Sequence, residues 1–418
     1  MKILIVQHRN FLNVCGGTEK ICCFIANTFA KQKHEVTIAT NEDVVGEPVF
    51  FLEPNVRVEN IYTDGLGERP VLPYYNYKGS NPILWLYHKL RKKRAKLHNK
   101  LLFRKMKGPE NVYLHNVGVR SKHWHEYITT SKPDLIVTMS TASLVEITYY
   151  RPFGIPIVNS VNGRPDYDYT DVLGARPDYE MRCLEASYKH LSGIQVLFES
   201  YKEFLPESFG GIAKVIANPV PQQTEQSKVN SKSGKHVIAH VGTLFTSCKQ
   251  QHKIIEIFEK LGPEFPQWEV HFYGTGVDLD ELKKMVKRAN LEQQIHFKGF
   301  TDQPLEVMRA ADIFVFPSKY EGFPLALTEA MATGLPTIGY AYCSGVNELI
   351  ADGKTGFLVA DDAAFEQRLR EMMLKEALRT ALGNNAKKAM EQYSAAIIEA
   401  SWIDFAEELT QLKTKQEG

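Results

Sequence analysis

One pattern occurs twice in this chain and narrows its possible folds sharply. Short uninterrupted apolar runs alternate with segments of helical character, first up to Ala217 and again from His236 onward. The front runs are Lys2–His8, Glu35–Thr40, Leu135–Met139, Ile155–Val161, Gly193–Phe198 and Lys214–Ala217. The later ones are His236–Val241, Trp268–Tyr273, Gln294–Lys298, Ile313–Phe316, Thr337–Tyr340 and Gly356–Val359. A strand apolar on both faces must be covered on both, which parallel sheets achieve with crossover helices. Strand, helix, strand alternation therefore predicts parallel sheets. Helices are expected from about Thr18 to Lys31, over Ile254–Leu261 and Asp280–Ala289, and from about Ala363 to Leu412 with a break near Gly383. Between the halves, Asn218–Lys235 lacks apolar periodicity and is rich in Ser, Gln and Pro, so it reads as a linker.

The reading is two consecutive α/β domains, and 418 residues suffice for two cores. With 44% hydrophobic and 24% charged residues, a disordered or fibrous chain is excluded. The net charge of +1 argues against a nucleic-acid partner. Residues 1–220 hold 28 Lys/Arg against 22 Asp/Glu, so the front half is basic and the back half acidic. The six cysteines form no Cys-x-x-Cys, and neither a zinc site nor a disulfide framework is expected. The first residues, Met1 to Arg9, are too short an apolar run for a signal peptide, and no stretch reads as a membrane span. A cytoplasmic protein is the expectation.

Ligands of open parallel sheets bind beyond the carboxyl ends of the strands. Between two such domains the natural site is the cleft, so the loops after the strands carry the chemistry. The most informative is Ser318 to Ala332, after Ile313–Phe316. Pro324 suits the first position of a helix, whose free amides favour a phosphate. Glu321 precedes that helix and Glu329 lies within it, and a carboxylate can accept both hydrogens of a vicinal diol such as a ribose. An ordinary helix with a first-turn acid fits the same spacing. In the loop from Gly242 to Gln250, Lys249 stands near a helix N-terminus, where a cation is unfavourable unless an anion answers it. A solvated surface lysine is the alternative. Gly16 and Gly17, and then Gly274 and Gly276, would allow a ligand close to the backbone or simply turn the chain. The G-x-G-x-x-G dinucleotide spacing is missing, which disfavours a nicotinamide-dependent oxidoreductase.

These residues resemble the retaining glycosyltransferases of family 4, which have the GT-B fold, over nearly the whole chain. The densest match runs from about 236 to 360, with two glutamates separated by seven residues, Glu321 and Glu329. The resemblance implies two Rossmann-like domains facing each other across a cleft. An acceptor domain would span 1–218 and a donor domain 236–395, joined by a linker at 219–235. A C-terminal helix over about 396–418, with Trp402, would cross back to the front domain. It also implies roles. Glu321 would contact the donor sugar, Glu329 the ribose, and Lys249 the diphosphate. Gly322, Phe323, Pro324 and Leu325 would meet sugar and diphosphate, with Phe300 near the base; Gly274, on its own loop, could sit against a base or ribose or simply turn the chain. Gly242 and Thr243 would lie at the diphosphate, and Gly16 and Gly17 at the donor phosphate and acceptor. Two positions depart: Thr243 stands where the family usually has Arg, and Asn162 where it often has His.

The implied activity is retaining transfer from a nucleotide-diphosphate sugar, expected to be a UDP-sugar, to a glycan or lipid-linked acceptor in surface polysaccharide or glycolipid synthesis. Lys249 and Asn162 would join Glu321 in catalysis. No metal and no cofactor are needed, the donor being a substrate, and Asp166-Tyr167-Asp168 is too short a pattern to be read as a metal motif. A non-catalytic nucleotide-sugar binder, suggested by Thr243 and Asn162, and a UDP-sugar epimerase on the same fold are the alternatives.

Between Glu68 and Glu110 there is no acidic residue, and Lys89–Lys107 holds ten Lys/Arg interleaved with Leu90, Leu97, Leu101, Leu102 and Phe103, with Trp85 just before. This predicts a basic amphipathic helix over 85–107 that could lie on an anionic membrane surface through Lys92, Lys93 and Arg94, making the protein peripheral on the inner face of the membrane. A solvated helix packing only its Leu face is the alternative.

Overall fold

The computed structural model describes the chain except residues 78–80, 175, 223–233 and 418, and its side chains as far as residue 412. Most of the expected linker therefore lies outside the described residues.

Among the described residues, thirteen strands form two parallel sheets. The first holds β1 (Lys2–Val6), β2 (Glu35–Thr40), β3 (Val56–Asn60), β4 (Leu135–Thr138), β5 (Ile157–Ser160), β6 (Gly193–Val196) and β7 (Ile212–Val215), in the order β3-β2-β1-β4-β5-β6-β7. The second holds β8 (His236–Val241), β9 (Trp268–Tyr273), β10 (Ile295–Gly299), β11 (Ile313–Phe316), β12 (Thr337–Tyr340) and β13 (Gly356–Val359), in the order β10-β9-β8-β11-β12-β13. The pairs between named strands are parallel throughout. The central strands β4, β5, β6, β11 and β12 are buried along their whole length, as continuous apolar runs require.

Sequence patterning missed β3 and the helix Pro109–Ser131. The β3 residues are half-buried or exposed, and the helix buries only Val112, Val117, Ser121, Trp124 and Ile128, so neither shows a strong apolar period. The closing helical stretch breaks elsewhere than expected. Helices Asp362–Leu374, Glu376–Ala389 and Ala395–Glu417 are separated near Lys375 and at Met390–Ser394. Gly383 lies inside the middle helix, where an added Cβ would stand 2.0 Å from Gly334 O. That glycine lets helix and loop backbones touch; it does not end the helix.

The last helix returns to the first domain. Lys31 Nζ meets Glu399 Oε1 at 2.7 Å, and Phe405 and Leu409 fill the space over Gly193 of β6. Trp402, on the same helix, is buried.

Both sheets reverse their strand order at their first strand, β1 beside β4 and β8 beside β11. Such switch points open a crevice at the carboxyl ends of the strands. The loops singled out in the sequence leave β1, β8 and β11, at both crevices.

Candidate active site

The segment after β11 is held from several sides. Lys319 N donates to Cys248 O at 2.8 Å, which ties it to the loop after β8. Tyr201 OH donates to Gly322 O at 3.0 Å, and Ser344 Oγ donates to Glu321 O at 3.1 Å. Tyr167 OH in turn bonds Ser344 Oγ, so side chains of both domains converge on one stretch of backbone. Close approach fixes Gly322: a Cβ there would fall 1.9 Å from Asn162 O of the first domain. Gly345, at φ +78°, presents its own Cβ direction to Gly322 O at 2.4 Å. Helix Leu325–Ala332 follows, with Pro324 as its cap instead of its first residue; Pro324 O accepts from Leu327 N and Thr328 N.

The loop after β8 is equally constrained. Asp278 Oδ2 accepts from Thr246 N and Thr246 Oγ1 at 2.8 and 2.9 Å, capping the short helix Thr246–Lys249. Gln251 Nε2 donates to Thr243 O at 2.8 Å and also lies 3.2 Å from His240 Nε2. His240 Nδ1 meets Val315 O at 3.1 Å, and burial pushes this imidazole down to about 4, so it is neutral at physiological pH. Gly274, at φ +135°, must be glycine, because a Cβ would stand 2.0 Å from Gly242 O. Gly274 N donates to Gly299 O at 2.7 Å, which brings the exposed Phe300 to the same rim.

On this frame two ion pairs form. Lys249 Nζ lies 2.5 Å from Glu321 Oε1, with both side chains mostly buried. Burial disfavours the Lys249 ammonium, but the Glu321 carboxylate outweighs it and holds the pKa above the ordinary lysine value. Lys20 Nζ, from the helix Gly17–Lys31, lies 2.6 Å from Glu329 Oε1. This second pair spans the two domains, and sequence reading missed it. The signal was present: Lys20 stands near the start of its helix, where a cation needs a carboxylate or phosphate. Lys249, expected at a helix N-terminus, instead closes the short helix Thr246–Lys249, two residues before Gln251–Leu261.

The structure thus gathers Gly17, Leu325, Asn162, Gly322, Glu321, Lys249 and Glu329 at one cleft, with Gly17 facing Leu325 Cδ1 across it. Gly16 caps the Gly17–Lys31 helix beside it. Gly242, Gly274 and Phe300 form the adjoining rim, and Thr243 is exposed there. Two side chains are spent on packing. The Phe323 ring stacks on Phe198 with centroids 5.5 Å apart, and Asn162 Nδ2 donates to Met139 O at 2.6 Å. Asp166 and Asp168 are ion-paired with Arg164 and Arg176.

The basic helix runs Pro82–Lys105 and is more open than an amphipathic helix resting on its domain. Within it only Ala95 and Asn99 are buried, while Ile83, Leu84, Trp85, Leu86, Tyr87, Leu90, Leu97 and Leu101 are exposed. Lys92 bonds Asn76, and Lys89 Nζ sits 4.3 Å over the Trp85 ring. Among the described residues no helix is long and apolar enough to cross a membrane.

Residues 221–389 match the family of glycosyl transferases group 1. An exopolysaccharide phosphotransferase of Streptomyces coelicolor is 28% identical over 52% of this chain and 24% of its own length. A poly(ribitol-phosphate) alpha-N-acetylglucosaminyltransferase of Staphylococcus aureus is 24% identical over 58% of this chain and 49% of its own. The chain spans less than half the length of either relative. Among solved structures, S. aureus TarM in complex with Fondaparinux, alpha-GlcNAc-glycerol and UDP superposes with a TM-score of 0.71, at 15% identity, over 97% of this chain and 100% of that one. The fold is the two-domain GT-B arrangement.

Proposed function

We propose, on the premise that residues 221–389 are a glycosyl transferases group 1 domain within a GT-B fold, that this chain moves a sugar from a nucleotide-diphosphate donor, a UDP-sugar, to a glycan or lipid-linked acceptor with retention of configuration. The observation that carries the reading is the pairing of Lys249 with Glu321 and of Lys20 with Glu329 at the switch points of both sheets. In the reaction, the bond from the anomeric carbon to the diphosphate breaks as the acceptor oxygen bonds that carbon on the same face. The acceptor proton passes to the leaving phosphate. Negative charge grows on the diphosphate, and Lys249 with the free amides that open Leu325–Ala332 can stabilise it without a metal ion. Glu329 can accept from both hydroxyls of a ribose, and Glu321 from a hydroxyl of the sugar. UDP in the TarM complex and the poly(ribitol-phosphate) substrate named for the S. aureus relative support a UDP donor and a surface-polymer acceptor.

A thermal-shift panel with UDP, GDP, ADP, CMP and NAD on wild type and Glu329→Ala tests the nucleotide. A ligand at about a hundred times its Kd adds roughly 2.7 kcal/mol, a rise of a few degrees. A rise with UDP that Glu329→Ala removes is expected; none with any nucleotide would sink the reading. Proton NMR of the first product decides between retention and inversion.

The open helix Pro82–Lys105 fits a peripheral position on an anionic leaflet, its exposed Trp85, Tyr87 and leucines entering the headgroup boundary beside Lys92, Lys93 and Arg94. Sedimentation with anionic vesicles at low salt, lost on charge reversal at those three positions, is the expected result; wild-type protein left in the supernatant would contradict it.

A further inference from the structure

We propose that Glu269, His271 and His296 form a binding site for a transition-metal dication of the zinc class on the second domain, sharing no residue with the cleft pairs. The sheet itself assembles the ligands. His271 of β9 and His296 of β10 are direct register partners on adjacent parallel strands. Glu269 precedes His271 by two residues and so projects from the same face.

The spacing suits a small tetrahedral ion. Glu269 Oε2 lies 3.0 Å from His271 Nε2 and 3.4 Å from His296 Nε2. All three ligand atoms fall within 4.8 Å of one another. Ligands held at about 2.0–2.1 Å from a tetrahedral zinc stand about 3.4 Å apart. Two edges of such a tetrahedron therefore already exist, and rotation of the more exposed His296 ring closes the third. Relative exposures of 12%, 14% and 30% for His271, Glu269 and His296 leave one open side for a water as fourth ligand.

The donor set is also chemically selective. Two imidazoles and one carboxylate match zinc, cobalt and nickel, while magnesium and calcium prefer oxygen throughout. Lys235 engages the other oxygen of Glu269, Oε1, which orients the carboxylate and leaves Oε2 turned to both rings. Lys298, in the β10 bulge two residues after His296, brings its positive charge near His271 and opposes a dication, so micromolar affinity is expected, not nanomolar.

Such an ion would clamp the edge strand β10 to β9. The same two strands continue to Gly274 and Phe300, three and four residues beyond the two histidines. The clamp would stiffen the rim of the cleft and leave the chemistry in it untouched.

The test uses the full chain, freed of metal with a chelator. Zinc is titrated in competition with a chromogenic chelator, and cobalt is followed by its visible absorption. One equivalent of zinc at micromolar Kd is expected, with the intense visible band of four-coordinate cobalt. His296→Ala and Glu269→Gln should each weaken zinc at least tenfold. Zinc should raise the melting temperature of wild type by a few degrees and leave that of His296→Ala unmoved. His296 lies on an edge strand and is partly exposed, so its variant should keep the metal-free melting temperature. Equal zinc affinity in wild type and both variants would assign any binding to other histidines or cysteines and overturn the proposal. No binding, or only the weak band of six-coordinate cobalt, would overturn it too.

Discussion

Each half of the molecule sends one lysine, from a helix after its first strand, to a glutamate of the same segment, but on different terms. Lys249 and Glu321 belong to one domain, and the lysine is only 22% exposed. Lys20 and Glu329 belong to different domains, and that lysine is 40% exposed. The first pair lies wholly within the second domain. The second exists only while the domains touch. One is a fixed part of the electrostatics that a leaving diphosphate would meet. The other is conditional on closure and holds the carboxylate that a ribose would claim.

The largest effect should come from the fixed pair. Lys249→Ala removes the cation aimed at the developing charge and leaves Glu321 buried without its partner. A fall in kcat of about 10²–10³-fold is expected in a transfer assay, with a smaller change in donor KM. A loss confined to KM would place Lys249 in ground-state binding and erase the distinction.

Glu329→Ala should act on the donor. Losing a charged acceptor for two hydroxyls costs about 1.5–3 kcal/mol, a tenfold or greater rise in Kd for UDP by calorimetry. Unchanged affinity would mean that the ribose goes elsewhere.

Each half also holds a histidine shielded from water, His240 fully buried and His8 half-buried, and acid should weaken both. His8 and His240 are each pushed down to about 4 by burial, against an ordinary value near 6.5. Between those values the unfolded chain takes up protons that the folded one refuses. Stability is therefore complete above about pH 6.5 and falls as the pH drops toward 4. Each histidine accounts for at most about 3 kcal/mol. Melting temperatures at pH 7.5 and 5.0 should diverge less in His240→Gln and His8→Gln than in wild type. If the halves melt separately, each variant should flatten one transition and leave the other.

The smallest effect belongs to the conditional pair. Glu329 is buried, but Lys20 is open to solvent, so the pair is partly screened and contributes about 1 kcal/mol. Lys20→Ala should alter the donor KM only a few-fold, and the change should shrink at high salt, where wild type comes to resemble the variant.

How much was legible in the sequence follows from the range of each interaction. Apart from the half-exposed β3, the strands of both sheets were readable from their apolar runs, most plainly where burial on two faces leaves the run unbroken. Lys249 was readable from its place in a loop after a strand, although it ends a short helix instead of opening one. Lys20 does place a cation near the start of a helix, but its partner is 309 residues away. Glu269, His271 and His296 could not be assembled from spacing, since strand register brings them together. Gly383 misled for a related reason: its function is a contact with Gly334, in a loop of the same domain. The exposure of the helix Pro82–Lys105 was partly hidden, because a leucine looks the same in a sequence whether it is covered or bare.

The Lys20–Glu329 bridge has a consequence for how the protein comes to be active. A contact closing so long a loop cannot reward the chain until both sheets are built, so it belongs to the last steps of assembly. Far-UV circular dichroism should recover early after dilution from denaturant, as each domain folds on its own contacts. Donor binding should lag behind it. The site at the cleft is then a product of domain docking, and its appearance marks the end of folding.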